Sequence, residues 1–226
     1  MQLMHSNNLH IFIGPTLYGI EDRTKKTGVK FVWHPPAKRN DIKQLMQSKK
    51  PSVAVIVDGY FHNNLAVGHA EIREAIKAGW TIWGISSMGA IRASEMIPLG
   101  MKGYGLAYKH FANDPDFRDD EVALLHGIKK PFTPVSEPLI HIRYSLDHLV
   151  KNKQISMKEK KKVIEKLSSI WYGDRTLYYL KELLKSETKF TKEAAINNFI
   201  SDFDRFRIKS IDFLNFINKK IWLNKN

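Results

Sequence analysis

The chain has 226 residues, enough for one substantial core plus a subdomain, and its 43% hydrophobic and 26% charged residues exclude a wholly disordered or fibrous protein. It has no cysteine, which rules out a disulfide, a thiolate-held cluster, a thiol nucleophile or a persulfide of its own. The net charge of +13 raises nucleic-acid binding, but residues 1–150 carry +4 (18 basic, 14 acidic) and residues 151–226 carry +9 (18 basic, 9 acidic), so the excess belongs mainly to the tail.

Leu9-His-Ile-Phe-Ile13 predicts a first buried strand, ended by Gly14-Pro15-Thr16. Val29-Lys-Phe-Val-Trp33 predicts a second, stopped by Pro35-Pro36, because proline removes a ladder donor. Asp41 is placed to cap a helix that carries Ile42, Leu45 and Met46 on one side and ends before Pro51. Val53-Ala-Val-Ile-Val57 is apolar without alternation, as in a strand covered on both faces of a parallel sheet, and ends at Asp58-Gly59. A helix follows from Leu65 to Ala78, closed by Gly79, then a strand over Trp80-Thr-Ile-Trp-Gly-Ile85. Ser86-Ser87-Met88-Gly89 leads into a helix from Ala90 to Met96. The glycines between Gly100 and Gly105 predict a bend, and Asp119-Asp120-Glu121 opens a short helix. From His141 onward the pattern is mostly helical.

This alternation predicts an α/β fold, a mostly parallel sheet flanked by helices, with a C-terminal helical extension. The boundary falls near residue 150, separating a 1–150 core domain from a Lys-rich, mainly helical 151–226 extension. The longest apolar run, Ser52 to Asp58, is far short of the roughly 20 residues that span a bilayer. The N-terminus lacks the basic start and cleavage site of a signal peptide, so a cytoplasmic protein is expected.

Ligand sites in such sheets lie beyond the carboxyl ends of the strands, where Asp58 and Ser87 both fall. Ile85-Ser86-Ser87-Met88-Gly89 resembles a nucleophile elbow, in which a tight strand-to-helix turn projects a hydroxyl and the next amide, here that of Met88 ahead of Gly89, stabilises an oxyanion. Centred on Ser87, the Gly-x-Ser-x-Gly pattern has Ile85 in place of its first glycine; the competing role for Ser87 is a helix cap. His69 is the preferred base and His126 the alternative, with Asp58 orienting the imidazole or, instead, forming a turn before Gly59. Arg92 is placed to grip a carboxylate or phosphate, or to pair with Glu95 along its own helix. Asp119, Asp120, Glu121 and His126 have metal-ligand chemistry, but no EF-hand loop or His-Glu-x-x-His is present and no metal is predicted. Without a Gly-x-x-x-x-Gly-Lys-[ST] loop, ATP is not expected on this chain. The Lys158 to Lys166 run reads as a solvated helix face rather than an RNA surface, and Phe199, Phe203, Phe206 and Phe213 as packing.

Taken in order, Ile11-Phe-Ile-Gly-Pro-Thr-Leu17, Pro35-Pro-Ala37 with Asp41-Ile42, Asp58-Gly-Tyr-Phe61, His69-x-Glu71-Ile72, Ser87-Met-Gly-Ala-Ile-Arg-Ala-Ser-Glu95, Gly100-Met101, Asp119-Asp-Glu-Val-Ala123 with His126, and Ser136-Glu-Pro-Leu139 resemble the TfuA-like family over roughly residues 9 to 150. Asn40 stands where many relatives have glycine, and Ser94 where alanine is usual. The resemblance implies a partner of a YcaO enzyme in backbone thioamide formation on a ribosomal peptide or protein. YcaO would use ATP and magnesium to activate the amide, while this chain, binding no cofactor itself, supplies sulfur or activates YcaO. A thiocarboxylated sulfur-carrier protein is the implied donor, and the precursor peptide a further partner. Glu71, Asp120, Glu121 and His126 join Met88, Gly89 and Arg92 as oxyanion or substrate-binding candidates. The competing classes are a noncatalytic accessory subunit that docks YcaO and substrate, and a basic RNA-binding protein.

Overall fold

A computed structural model of the chain describes residues 9–25, 30–60, 65–114 and 116–223. The chain divides into two compact units, Met1–Phe117 with Asp212–Asn226, and Arg118–Ile211.

The first unit holds five parallel strands in the order β2-β1-β3-β4-β5: β1 (Leu9–Phe12), β2 (Phe31–His34), β3 (Val53–Ile56), β4 (Thr81–Ile85) and β5 (Lys102–Tyr104). This is the α/β fold expected, with a short helix α1 (Glu21–Thr24) between β1 and β2. Val29 and Phe61, which belong to the expected second strand and to a quoted motif, lie outside the described residues. Alternate residues of each strand enter different cores. Phe12, Ala54, Ile56 and Ile82 pack with α2 (Asp41–Ser48), α3 (His69–Lys77) and α4 (Met88–Glu95), whereas Ile11, Val55, Trp83 and Ile85 pack with Ile20, Phe213 and Phe216. The second face is thus covered largely by α10 (Ile208–Asn218), whose apolar residues return to the sheet after the whole second unit has intervened. The expected boundary near residue 150 falls inside α6 (Leu139–Lys151), and the end of the expected extension belongs to the sheet's own core.

Two local expectations change. The bend between Gly100 and Gly105 contains β5, which pairs Lys102, Gly103 and Tyr104 with Trp83, Gly84 and Ile85. Asp41 is the first residue of α2 rather than its cap; Asn40 occupies the cap position with φ 74° and makes no side-chain capping bond.

The second unit contains α6, α7 (Met157–Ser168), α8 (Leu177–Glu187) and α9 (Glu193–Ser201) around Leu146, Leu167, Leu180, Ile196, Phe199, Phe203 and Phe206. Three of the four phenylalanines singled out in the sequence therefore pack in this core and Phe213 in the other. Arg175, fully buried, donates to the Leu167 carbonyl (2.9 Å), the Asp120 carbonyl (2.9 Å) and Asp120 Oδ2 (2.6 Å). No helix among the described residues is long and apolar enough to cross a membrane.

Candidate functional site at the serine turn

The strand order 2-1-3-4-5 reverses direction between β1 and β3, and such a switch point opens a crevice at the carboxyl ends of the strands. Three segments meet that edge: the loop after β1, Asp58 after β3 and the serine turn after β4.

The turn is built from its glycines outward. A Cβ on Gly84 would lie 2.0 Å from the Gly89 carbonyl oxygen, and one on Gly89 would lie 1.7 Å from the Ile56 carbonyl oxygen. Only hydrogen at both positions lets the start of α4 sit this close to β3 and β4. The chain reverses within Ser86, at φ 64°, in the left-handed region that costs a non-glycine residue about 1 kcal/mol. Ser87 follows as the N-cap of α4, and its side chain makes no capping bond. Among the described residues Ser87 Oγ has no hydrogen-bond partner, although the residue is only 3% exposed; it is an uncommitted hydroxyl in a largely buried setting. The capping role considered for Ser87 is thereby excluded in this conformation.

The adjoining amides differ. Gly89 N–H donates to the Val57 carbonyl (3.3 Å), so that amide is occupied. Met88 N–H opens α4 and makes no hydrogen bond among the described residues. An uncommitted hydroxyl beside an uncommitted amide at the positive end of an eight-residue helix fits attack on a carbonyl-type carbon with stabilisation of the oxyanion.

The residues expected to assist Ser87 are engaged otherwise. Asp58 Oδ2 accepts from the Gly14 (2.8 Å) and Thr16 (3.0 Å) amides and Oδ1 from the Thr16 hydroxyl (2.7 Å), so the carboxylate ties the β1 loop to the end of β3. His69 Nε2 lies 2.8 Å from Glu95 Oε2 at the opposite end of α4. Eight residues separate Ser87 from Glu95, about 12 Å along the axis, so the imidazole is drawn away from the hydroxyl. Arg92 shares the same Glu95 oxygen (2.7 Å) and donates to the Val67 carbonyl (2.9 Å); it is the helix pair of the two alternatives, with a second anchor.

Glu71 is a cap rather than a substrate contact. Its Oε1 accepts from the Gly68 (2.8 Å) and Asn40 (3.1 Å) amides and its Oε2 from those of Ile42 (3.1 Å) and Lys43 (3.4 Å), which closes the starts of α3 and α2 with one buried carboxylate. Asp120, Glu121 and His126 belong to the second unit. There Asp120 binds Arg118 and Arg175, Glu121 holds Arg143 through both oxygens (2.8–3.2 Å), and His126 Nδ1 lies 2.8 Å from the Gly127 carbonyl. Ser86 is the residue that sequence reasoning passed over: Gly84-x-Ser86 is present, and a glycine two residues ahead of a turn serine was the available signal.

The first unit is accordingly a doubly wound parallel α/β domain carrying a tight strand-to-helix serine turn. The TfuA-like protein family model matches residues 58–176, more than half of the chain and inclusive of this turn, and the chain belongs to the TfuA-like family. No curated protein matches it.

Proposed function

We propose that this TfuA-like protein partners a YcaO enzyme in ATP-dependent backbone thioamide formation and releases sulfide from a thiocarboxylated sulfur-carrier protein at the serine turn. The observation that carries the reading is the Ser87 hydroxyl, without a hydrogen-bond partner among the described residues, beside the Met88 amide, within a chain of this family. Ser87 Oγ adds to the thiocarboxylate carbon, giving a tetrahedral oxyanion, and the carbon–sulfur bond then breaks. The hydroxyl proton leaves with sulfur as hydrosulfide, and the Met88 amide holds the oxyanion formed between those events. Water then cleaves the acyl-serine ester, freeing the carrier carboxylate and restoring the hydroxyl. The absence of cysteine fits a protein that draws sulfur from a partner rather than storing it.

One observation favours a second reading, a noncatalytic accessory subunit: Asp58 and His69 are committed to Thr16 and Glu95, which leaves Ser87 without either as its assistant. Sulfide release from a thiocarboxylated carrier, measured without YcaO, separates the two. Wild type releases sulfide and folded Ser87→Ala falls to the uncatalysed background, while Ser94→Ala, on the same helix, keeps the wild-type rate. If neither wild type nor Ser87→Ala releases sulfide and thioamidation in the presence of YcaO proceeds with both, the accessory reading holds.

A further inference from the structure

The first unit has a cavity of about 490 Å³ between the β1–β2 edge of the sheet and α2, within the ~300–1,000 Å³ range of small-molecule sites. Its wall carries an unusual pair. His10 Nδ1 lies 3.0 Å from His34 Nε2, and the His34 ring is stacked between His10 (5.3 Å between centroids) and Phe12 (4.5 Å). Burial first, then the neighbouring charges of His34 and Lys49, depress the His10 pKa; burial depresses that of His34 against the opposing pull of Asp41. Both imidazoles are therefore neutral at pH 7.

Two neutral imidazoles own two protons and two lone pairs, and their mutual bond consumes one of each. One N–H and one lone pair remain, on the outer nitrogens. Among the described residues neither His10 Nε2 nor His34 Nδ1 has a hydrogen-bond partner. A ligand that brings an acceptor to either outer nitrogen selects the tautomer that places the N–H there, so the pair adapts its donor to the ligand at no charge cost. Lys49, whose charge is felt at His10, lines the same cavity, and Lys38 lines it too. Neither lysine is in an ion pair among the described residues. The one acidic lining residue, Asp41, accepts the Lys38 amide at 2.9 Å. Gln44 and Ser48 of α2 add two uncharged polar groups, and the rest of the wall, Phe12, Val32, Pro35, Pro36, Leu45 and Tyr60, is apolar or aromatic.

We propose that this cavity binds a small organic anion, a carboxylate on a planar apolar body, with the carboxylate held by Lys49 and an outer N–H of the His10–His34 pair and the body lying against Pro35, Pro36 and Tyr60. The site is separate from the serine turn and does not depend on the function proposed there.

Benzoate is the probe, titrated into the full chain with isotope-labelled histidine while the ring signals of His10 and His34 are followed by NMR. A saturable shift of both rings is expected, with benzamide, its uncharged counterpart, at least about tenfold weaker because the charge-assisted hydrogen bonds are lost. Lys49→Ala, at an exposed position that leaves the fold intact, weakens benzoate by a similar factor, while Ser87→Ala leaves its binding unchanged. Equal binding of benzoate and benzamide, indifference to Lys49→Ala, or no saturable shift up to the solubility of benzoate overturns the assignment.

Discussion

Glu71 shows how much one carboxylate does in this domain. Four backbone amides from two helix starts converge on it, and because the group is 6% exposed, water is a poor substitute for it. Glu71→Gln keeps the shape but replaces one acceptor oxygen with an NH₂ that faces amide donors. The expected cost is ~1–3 kcal/mol, the penalty for buried donors left without acceptors, read as a lower urea midpoint with an unchanged slope. Sulfide release per folded molecule is unchanged, since Glu71 acts on α2 and α3. A Glu71→Gln protein of normal stability and no activity would restore the substrate role that the sequence motif implied. Asp58 follows the same logic: both residues were legible as polar groups at strand and helix ends, but apart from Gly68, three residues before Glu71, their partners lie 28–44 positions away and local spacing carries no trace of them.

At the scale of elements, the approach of α4 to β3 and β4 is set by Gly84 and Gly89. A methyl group on Gly89 meets a carbonyl oxygen at 1.7 Å, and backbone cannot rotate out of the way as a side-chain tip would. Gly89→Ala must therefore displace α4, at a cost at or above the ~1–3 kcal/mol of ordinary overpacking, and it moves the Ser86–Ser87 turn with the helix. Thermal unfolding and sulfide release should both fall. Gly127→Ala is the control, because the nearest atoms to its added Cβ are 3.9 Å away. Gly89→Ala with wild-type stability and activity would dissociate the turn from the glycine packing argued for it. The periodicity of these elements was legible: four of the five strands and the helices α2, α3 and α4 follow from apolar runs and turn residues. β5 was not, because its three residues include a glycine and lie between Gly100 and Gly105, so neither period 2 nor an apolar run marks it. Its existence depends on pairing with β4, which is a tertiary fact.

For the whole molecule, His141 in the second unit and Asp212 in the first respond to acid in opposite directions. In the second unit, His141 donates from Nδ1 to Glu137 Oε2 (2.9 Å), and Arg207 donates to the other oxygen of Glu137. Burial outweighs Glu137 and pushes the His141 pKa down to about 4. Burial would lift Glu137, but the hydrogen bond from His141 and the Arg207 charge outweigh it and hold that carboxyl below its ordinary value. In the first unit, Asp212 accepts from the Leu106 (2.9 Å) and Ala107 (3.0 Å) amides at the start of α5 (Leu106–Asn113), and burial lifts its pKa to about 6 against those hydrogen bonds. A histidine with a depressed folded pKa leaves the unfolded chain binding more protons between pH 6.5 and about 4, so its contribution is complete above pH 6.5 and is lost as the pH falls through that window. Asp212 is the reverse: the folded state binds more protons between about pH 6 and 3.8, so its burial is least costly in acid and destabilises as the pH rises. Each effect is on the order of a few kcal/mol, and in the whole chain they largely offset each other between pH 6 and 4. Global unfolding therefore under-reports them, whereas hydrogen exchange resolves them unit by unit. Protection of α6 and α8 amides is expected to drop as the pH is lowered from 6.5 to 4.5 after correction for intrinsic exchange, while that of β3 and β4 drops less, because Asp212 works against the acid-sensitive His10 and His34 of the same unit. His141→Gln, which can still donate to Glu137, should flatten the α6 response and leave that of β3 and β4 alone. Equal pH responses in the two units, or an α6 response that survives His141→Gln, would place the acid-sensitive group elsewhere.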